Sequence, residues 1–500
     1  MPNNLATSLF ALSTTLVTPA FADVTAADVW ANQQSLYGAL GGTLSGELSG
    51  DGTVSPVASF ILPNGFGSFQ IKLGQIALSE NADGSVTIDF PSPLKASFAG
   101  GITGEGSFNA ELILTNESYR SIATGDPGDI SYETNAKDLM VELVETSLEG
   151  VEGARFSGTG TYALDQFSYS TRVREGNLID YTVEANVGTS ISEFAFATDN
   201  VITTTSQTMQ PVSGSGAISL PVGGTDVMNI SQALRDGLSV FLESTAQGNS
   251  SVTTVTLNGE VLNTQETSSG LQKTSVTFDE NGIVIDGQAD SLSVSLNDPL
   301  IFPAPLAFDV ASISSAIAMP VNASEEVKDL RIAASLDGIT IADSIWGMFD
   351  PVGQLPRDPA NISFDITGLG KNGLDLLDFA ALSTLAGPPP IQVDEVTIEN
   401  LNIEAIGAEV AAKGTMTFDW TDFQTFAGIP RPEGAVTINL NGANKLMDTL
   451  VAMGFIPEDQ LLMPRMMMGM FATPVGDDML ESVIEVNAEG HLLANGQRLQ

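Results

Sequence analysis

The stretch Leu292-Ser-Val-Ser-Leu296 puts an apolar side chain at every second position, and Ser85-Val-Thr-Ile-Asp-Phe90 and Val436-Thr-Ile-Asn-Leu440 repeat that pattern far away in the chain. Successive side chains of a strand point to opposite faces, so a period of two reads as a strand with one wet and one dry face. Such runs recur from about residue 42 onward. Asp51-Gly52, Asp83-Gly84, Asn258-Gly259, Asn281-Gly282, Asp337-Gly338, Asn441-Gly442 and Asn495-Gly496 separate them. These dipeptides reach positive backbone φ at little cost and predict tight hairpins. A short phrase also recurs: Gly104-Glu-Gly-Ser-Phe108, Gly158-Thr-Gly-Thr-Tyr162, Gly214-Ser-Gly-Ala-Ile218 and, more loosely, Lys413-Gly-Thr-Met-Thr-Phe418. It predicts glycines that open a strand, with an aromatic or Ile packing after them. The copies are too irregularly spaced for a solenoid. The expected fold is therefore mainly β: a large, antiparallel, curved sheet built from hairpins with meander-like contacts.

Helices are few. Thr25 is placed to cap an N-terminal helix with Asp28 as its N3 partner, and Val29, Leu36 and Leu40 follow at helical spacing. A middle helix is expected over Ser231 to Ser244, where Leu234, Leu238 and Phe241 recur near helical spacing. A C-terminal pair is expected at about 443–453 and 457–471. Pro457, Glu458 and Asp459 start the second member favourably, and Pro464 threatens to kink it. The segment 346–361 is loop-rich, and Pro388-Pro-Pro390 marks a rigid connector. A boundary near residue 225 divides an N-terminal β-rich lobe (23–225) from a C-terminal β-rich lobe with helices (226–500), or the two share one continuous sheet.

Residues 1–22 read as a signal peptide. An apolar segment from Leu9 to Val17 is followed by Pro19 and Ala20-Phe21-Ala22, which suits cleavage between Ala22 and Asp23 and export to the periplasm. The segment departs from the usual pattern in having no Lys or Arg ahead of its apolar run. No later run approaches the roughly 20 apolar residues of a spanning helix, so no transmembrane segment is expected after cleavage.

The 500 residues include 61 acidic and 18 basic ones, for a net charge of -43. Phosphate backbones repel such a surface, and the basic residues are dispersed, which excludes nucleic acid as a partner. Hydrophobic residues make up 43%, enough for a folded core. There is no Cys and one His, His491. Thiolate chemistry, disulfides and multi-imidazole metal sites are thereby excluded, and one candidate imidazole base remains. That residue lies in Glu489-Gly-His-Leu-Leu-Ala-Asn-Gly496 with no nucleophile beside it and reads as an ordinary edge residue.

Gly368-Leu-Gly-Lys-Asn-Gly373 matches the dinucleotide fingerprint after the strand-like Ile362-Ser-Phe-Asp-Ile-Thr367 and before a possible helix at 374–385. Repeated strand–helix–strand units are missing around it, so a glycine turn is the favoured reading. Neither a Gly-x-Ser-x-Gly elbow nor a Walker phosphate loop occurs. Met463, Met466, Met467 and Met470 fall on one face of a helix; core packing is the favoured reading, ahead of a soft ligand-binding surface and of Cu(I) ligation. With 61 acids no carboxylate pair stands out for acid/base work, and no EF-hand spacing is present. No cofactor or metal ligand is implied.

The segment Ser344-Ile-Trp-Gly-Met-Phe-Asp-Pro-Val-Gly-Gln-Leu-Pro-Arg-Asp-Pro359, running into Phe364-Asp-Ile-Thr-Gly368, resembles the hallmark of a proteobacterial family catalogued as domain of unknown function 2125. Asp23-Val-Thr-Ala-Ala-Asp-Val-Trp30, Gly428-Ile-Pro-Arg-Pro-Glu-Gly434 and Gly490-His-Leu-Leu-Ala-Asn-Gly-Gln-Arg-Leu499 agree with it. The resemblance implies export and kinship of fold and carries over no catalytic residue. A looser likeness links the chain to AsmA-like envelope proteins, in which large curved sheets present a hydrophobic groove associated with lipid handling.

Within the hallmark, Trp346 and Phe349 are expected to anchor the loop to the sheet, and Arg357 to pair with Asp350 or Asp358. Trp346, Phe349 and Arg357, with Met463, Met466, Met467 and Met470, form the candidate ligand or partner surface. The expected function is a non-catalytic periplasmic protein that binds a hydrophobic, lipid-like ligand or an envelope protein in a sheet groove. A structural or cell-surface module is the second reading, a carboxylate-based hydrolase the third, and an outer-membrane barrel the fourth.

Overall fold

The computed structural model describes residues 23–62, 67–102, 106–149, 156–226, 229–385 and 391–499. The predicted signal peptide, Gly104 and Pro388-Pro-Pro390 lie outside them. Among the described residues thirty strands form one antiparallel sheet, the mainly β fold that the two-residue period predicts.

Nine strands come first: β1 (Gly42–Ser45), β2 (Thr53–Val54), β3 (Val57–Leu62), β4 (Gly67–Leu73), β5 (Ile76–Glu80), β6 (Val86–Asp89), β7 (Leu94–Ile102), β8 (Gly106–Thr115) and β9 (Ser118–Asp126). They lead to two long strands, β10 (Asp129–Glu149) and β11 (Phe156–Glu175). The 21 residues of β10 span about 70 Å. That length takes two neighbours end to end, β9 beside its first half and β8 beside its second. On the far side, β11 likewise takes β12 (Leu178–Val187) and β13 (Ser190–Thr198).

The chain then alternates between two tracks. β14 (Val201–Met209), β17 (Asn249–Leu257) and β18 (Glu260–Ser269) extend β13, while β15 (Val212–Pro221), β16 (Ser239–Ala246) and β19 (Gln272–Asp279) extend β12. β20 (Gly282–Asn297) pairs with both β19 and β18 and rejoins the tracks. From there a true meander runs through β21 (Leu306–Met319), β22 (Lys328–Ile341), β23 (Ala360–Asn372), β24 (Ile391–Ala405), β25 (Ala408–Asp419) and β26 (Arg431–Asn441). β27 (Thr473–Gly476), β28 (Met479–Val486), β29 (Leu492–Ala494) and β30 (Gln497–Arg498) close the sheet. The expected meander thus holds only from β20 onward. The boundary expected near 225 falls in the connection between β15 and β16, which pair directly.

Among the described residues six α-helices stand at the strand ends: α1 (Ala26–Ala39), α2 (Ile230–Arg235), α3 (Asp343–Phe349), α4 (Phe379–Ser383), α5 (Ala443–Ala452) and α6 (Leu462–Phe471). By register, the strand ends joined by α2 and α4 lie on the side where α1 packs, and those joined by α3, α5 and α6 lie on the opposite side. α1 carries the expected capping box, with Thr25 Oγ1 accepting from Asp28 N at 3.1 Å and Asp28 accepting from Thr25 N at 3.0 Å. The expected middle helix is cut short. Gly237, with φ +101, ends α2, and Val240 and Leu242 then alternate with Phe241 and Glu243 as strand β16. Helix 374–385 shrinks to α4. In the C-terminal pair a 3-10 turn (Glu458–Leu461) takes up the start marked by Pro457, and Pro464 sits in the first turn of α6, where it breaks nothing.

Asn258-Gly259 and Asn495-Gly496 form two-residue hairpins with positive φ throughout. Two other expected hairpins are not hairpins: Gly338 lies in a register slip inside β22, and Gly442 caps α5 with φ 71. The dinucleotide-like glycines are neither a phosphate loop nor a turn, because β23 runs straight through Gly368 and Gly370. The Gly-x-Gly phrase also differs from expectation. Gly158 and Gly160 stand inside β11 opposite Phe196 and Phe194 of β13, and a Cβ on Gly158 would lie 2.7 Å from the Phe196 ring. The glycines make room for rings from the neighbouring strand.

Candidate functional site: an open apolar face closed at one end

One face of the sheet carries an unbroken row of directly opposed residues. It runs Thr171, Val183, Gly216, Leu242, Val276, Ile285, Ile317, Ile332, Ile366, Ile398, Gly414, Val436 and Ile484. Thirteen strands at about 4.8 Å spacing make this row about 58 Å long. A second row beside it holds Val173, Tyr181, Ile218, Val240, Phe278, Ile283 and Met319. The opposite face is tied by polar pairs across strands: Arg331 to Asp365 at 2.9 Å, Ser215 to Glu243 at 2.9 Å and Thr397 to Thr415 at 2.9 Å.

Among the described residues the dry face is most fully covered near α1, where the core cluster joins α1 to Ile130, Val173, Ile179 and Leu220 and reaches Leu234 of α2 and Val321; Ala412 and Ser482 are buried near its far end. Farther along, Ile317 is 39% exposed, Ile332 48%, Ile362 40% and Ile403 44%. Apolar side chains exposed to this degree in the middle of the face form an open apolar surface rather than a closed core.

Between α1 and the start of both rows lies a cavity of about 480 Å³. Trp30, Leu36 and Tyr37 of α1 form its roof, and Ile88, Tyr132, Tyr181 and Ile218 lie among its wall residues. None of its lining residues is charged. Five of the six tyrosines of the chain line it: Tyr37, Tyr119, Tyr132, Tyr169 and Tyr181. Tyr132 donates to Oδ1 of the buried Asn32 at 2.7 Å, and Asn32 donates to Glu175 at 2.8 Å, which locks α1 to β10 and β11. The hydroxyls of Tyr169 and Tyr181 bond to each other across adjacent strands, and Ser121 and Thr134 share a bond of 2.8 Å. Burial pushes the phenols of Tyr119, Tyr132 and Tyr169 above their ordinary range, so all three are neutral hydroxyls at physiological pH.

The residues expected from sequence to form a ligand surface lie elsewhere, by the opposite strand ends. Trp346 is half-buried and Phe349 is 55% exposed, so Phe349 does not anchor the loop; Ile345 and Leu355 are the buried residues there. Asp350 is fully buried and accepts from Gln354 N and Leu355 N, both at 2.8 Å, which hold its carboxyl below the usual carboxylate range. It is therefore unavailable to Arg357, which bonds Asp343 at 2.7 Å and stacks over Trp346. Met463, Met466, Met467 and Met470 are 50% to 61% exposed on α6, so the core-packing reading of the cluster fails. Arg465 of α6 pairs with Asp448 of α5, and Gln354 shares a shallow cleft with Asn444 and Asp448. The two predicted groups are thus linked through α5, and neither touches the tyrosine cavity. His491 lies in a turn, its N–H donating to Asn487 Oδ1 at 2.9 Å.

Among the described residues no group of three or more acidic or His side chains is placed to hold a metal ion. No family model matches the chain, and no match was found among curated proteins or solved structures. The tyrosines went unread in the sequence, although all six fall between residues 37 and 181 and that concentration was visible there.

Proposed function

We propose that this is an exported, non-catalytic periplasmic protein whose sheet receives an elongated apolar ligand, such as the acyl chain of an amphiphile, along its dry face. One observation carries this reading: a mostly apolar row crosses thirteen strands, with Leu242, Ile317 and Ile332 at its middle 39% to 48% exposed. Water on that surface is displaced favourably by any hydrocarbon that follows it, at roughly 25 cal/mol per Å². The helices stand by the strand ends and leave the middle of the face to be covered by something else. The absence of Cys and the single, unaccompanied His agree with binding without catalysis. The likeness to AsmA-like envelope proteins and to the family of unknown function points the same way, as analogy.

The test is to purify the protein from the periplasmic fraction and to identify co-extracted lipids by mass spectrometry. The expected result is a lipid species near one equivalent per chain. Lipid-free protein that also fails to bind an added C16 probe ends the proposal.

A further inference from the structure

A groove that only carries hydrocarbon needs no hydroxyls, yet its closed end is built from tyrosines. We propose that the cavity under α1 is a terminal subsite for the head of an uncharged amphiphile, whose apolar body runs out along the first row toward Leu242 and Val276. This inference rests on the groove reading and narrows it to one ligand class.

Charge decides the class. The chain has a net charge of -43, yet the cavity lining contains no charged side chain. A phosphate or carboxylate head would enter a desolvated site with no cation to meet it, under the repulsion of the acidic exterior. A hydroxyl, ester or amide head finds partners there. The Tyr169–Tyr181 pair uses one O–H in its mutual bond and keeps the other, and the Ser121 and Thr134 hydroxyls and the Gln33 amide add donors and acceptors. A volume of about 480 Å³ suits one small head with the start of its chain.

Trp30 is 9% exposed and lines the cavity, and the other two tryptophans, Trp346 and Trp420, lie far along the chain. The full chain carrying Trp346→Phe and Trp420→Phe therefore reports on the cavity alone. It is titrated with 1-monopalmitoylglycerol and with hexadecyl phosphate, while total binding of each radiolabelled probe is measured in parallel. The expected result is a saturable change in Trp30 emission with the glyceride and at least tenfold weaker binding of the phosphate. Tyr169→Phe with Tyr181→Phe should weaken the glyceride at least fivefold and leave the phosphate unchanged. Hydrogen exchange of α1 amides in the unsubstituted chain gives the same readout if the tryptophan variant does not fold. Equal or tighter binding of the phosphate overturns the subsite. Binding that leaves Trp30 and α1 unmoved also overturns it while the groove reading stands, and no binding of either probe overturns both.

Discussion

Ile317 and Ala318 are neighbours on β21 that point to opposite faces, Ile317 into the apolar row between Ile285 and Ile332, and Ala318 outward beside Arg331. Replacing each in turn with Asp places the same charge about one residue apart, once on the dry face and once on the wet one. Ile317 is already 39% exposed, so Ile317→Asp should cost the fold only about 1–2 kcal/mol of partial burial. An acyl chain crossing that strand loses contact for about two methylenes, about 1.6 kcal/mol, and must also lie against a carboxylate that keeps its water. Together these amount to about 3 kcal/mol, or roughly a hundredfold in Kd. Ala318→Asp gains Arg331 as a neighbour and should leave binding within about twofold. The assay is displacement of a fluorescent C16 probe, with urea denaturation of both variants as the stability control. Equal losses in the two variants, or no loss in either, refute the assignment of faces.

Three further outcomes are expected. Gly158→Ala should destabilise by about 1–3 kcal/mol, because the new methyl meets the Phe196 ring at 2.7 Å, and adding Phe196→Ala should recover part of the loss in urea denaturation; strictly additive effects would contradict the packing. Thr25→Ala removes the cap of α1, worth about 1 kcal/mol, and should speed hydrogen exchange in α1 while leaving β20 to β26 protected; uniform protection across both would be the wrong result. Hydrogen bonds from Arg172, Arg174, Arg331 and Arg235 hold Asp129, Asp180, Asp365 and Asp375 below their ordinary value of 3.8. Their stabilisation is complete above about pH 4 and fades as pH falls through the lowered values, so Arg235→Gln should flatten the acid limb of a stability–pH curve, and an unchanged limb counts against the pairing.

Much of the architecture was legible because alternation is local. Val436-Thr-Ile-Asn-Leu440 states its own two faces, and the structure puts Val436, Ile438 and Leu440 opposite Ile484, Ser482 and Leu480. The capping box at Thr25 was equally local. What stayed hidden depends on partners distant in sequence. Nothing in the runs themselves shows that β12 and β13 share β11 end to end, which is what turns a meander into two tracks. Leu234, Leu238 and Phe241 matched a helix by count, but Gly237 breaks the turn between them and the residues after it follow the sheet. The methionines of α6 misled for a similar reason: an apolar helical face reads as core, and only the fold shows that Met463, Met466, Met467 and Met470 are exposed. The tyrosine cavity collects residues from α1 and from β9, β10, β11 and β12, and only the fold brings these together.

The acidic excess gains a physical role from this geometry. Every long strand is paired on both sides, and the strands left at edges are short: β1 and β27 have four residues, β2 and β30 two. Edge-to-edge association is therefore blunted, and the remaining hazard is the dry face, which two chains could cover for each other. At a net charge of -43, such a face-to-face pair brings two like-charged bodies together, and the repulsion opposes that pairing. That repulsion is screenable, since the Debye length falls from about 30 Å at 0.01 M salt to about 3 Å at 1 M. Sedimentation velocity should accordingly show monomer at low ionic strength and dimer as salt rises. Ile317→Asp should suppress that dimer and Ala318→Asp should not, because only the first places its charge on the face that pairs. Salt-independent monomer would mean that the face is not available for contact, and the groove would then have to be closed in solution.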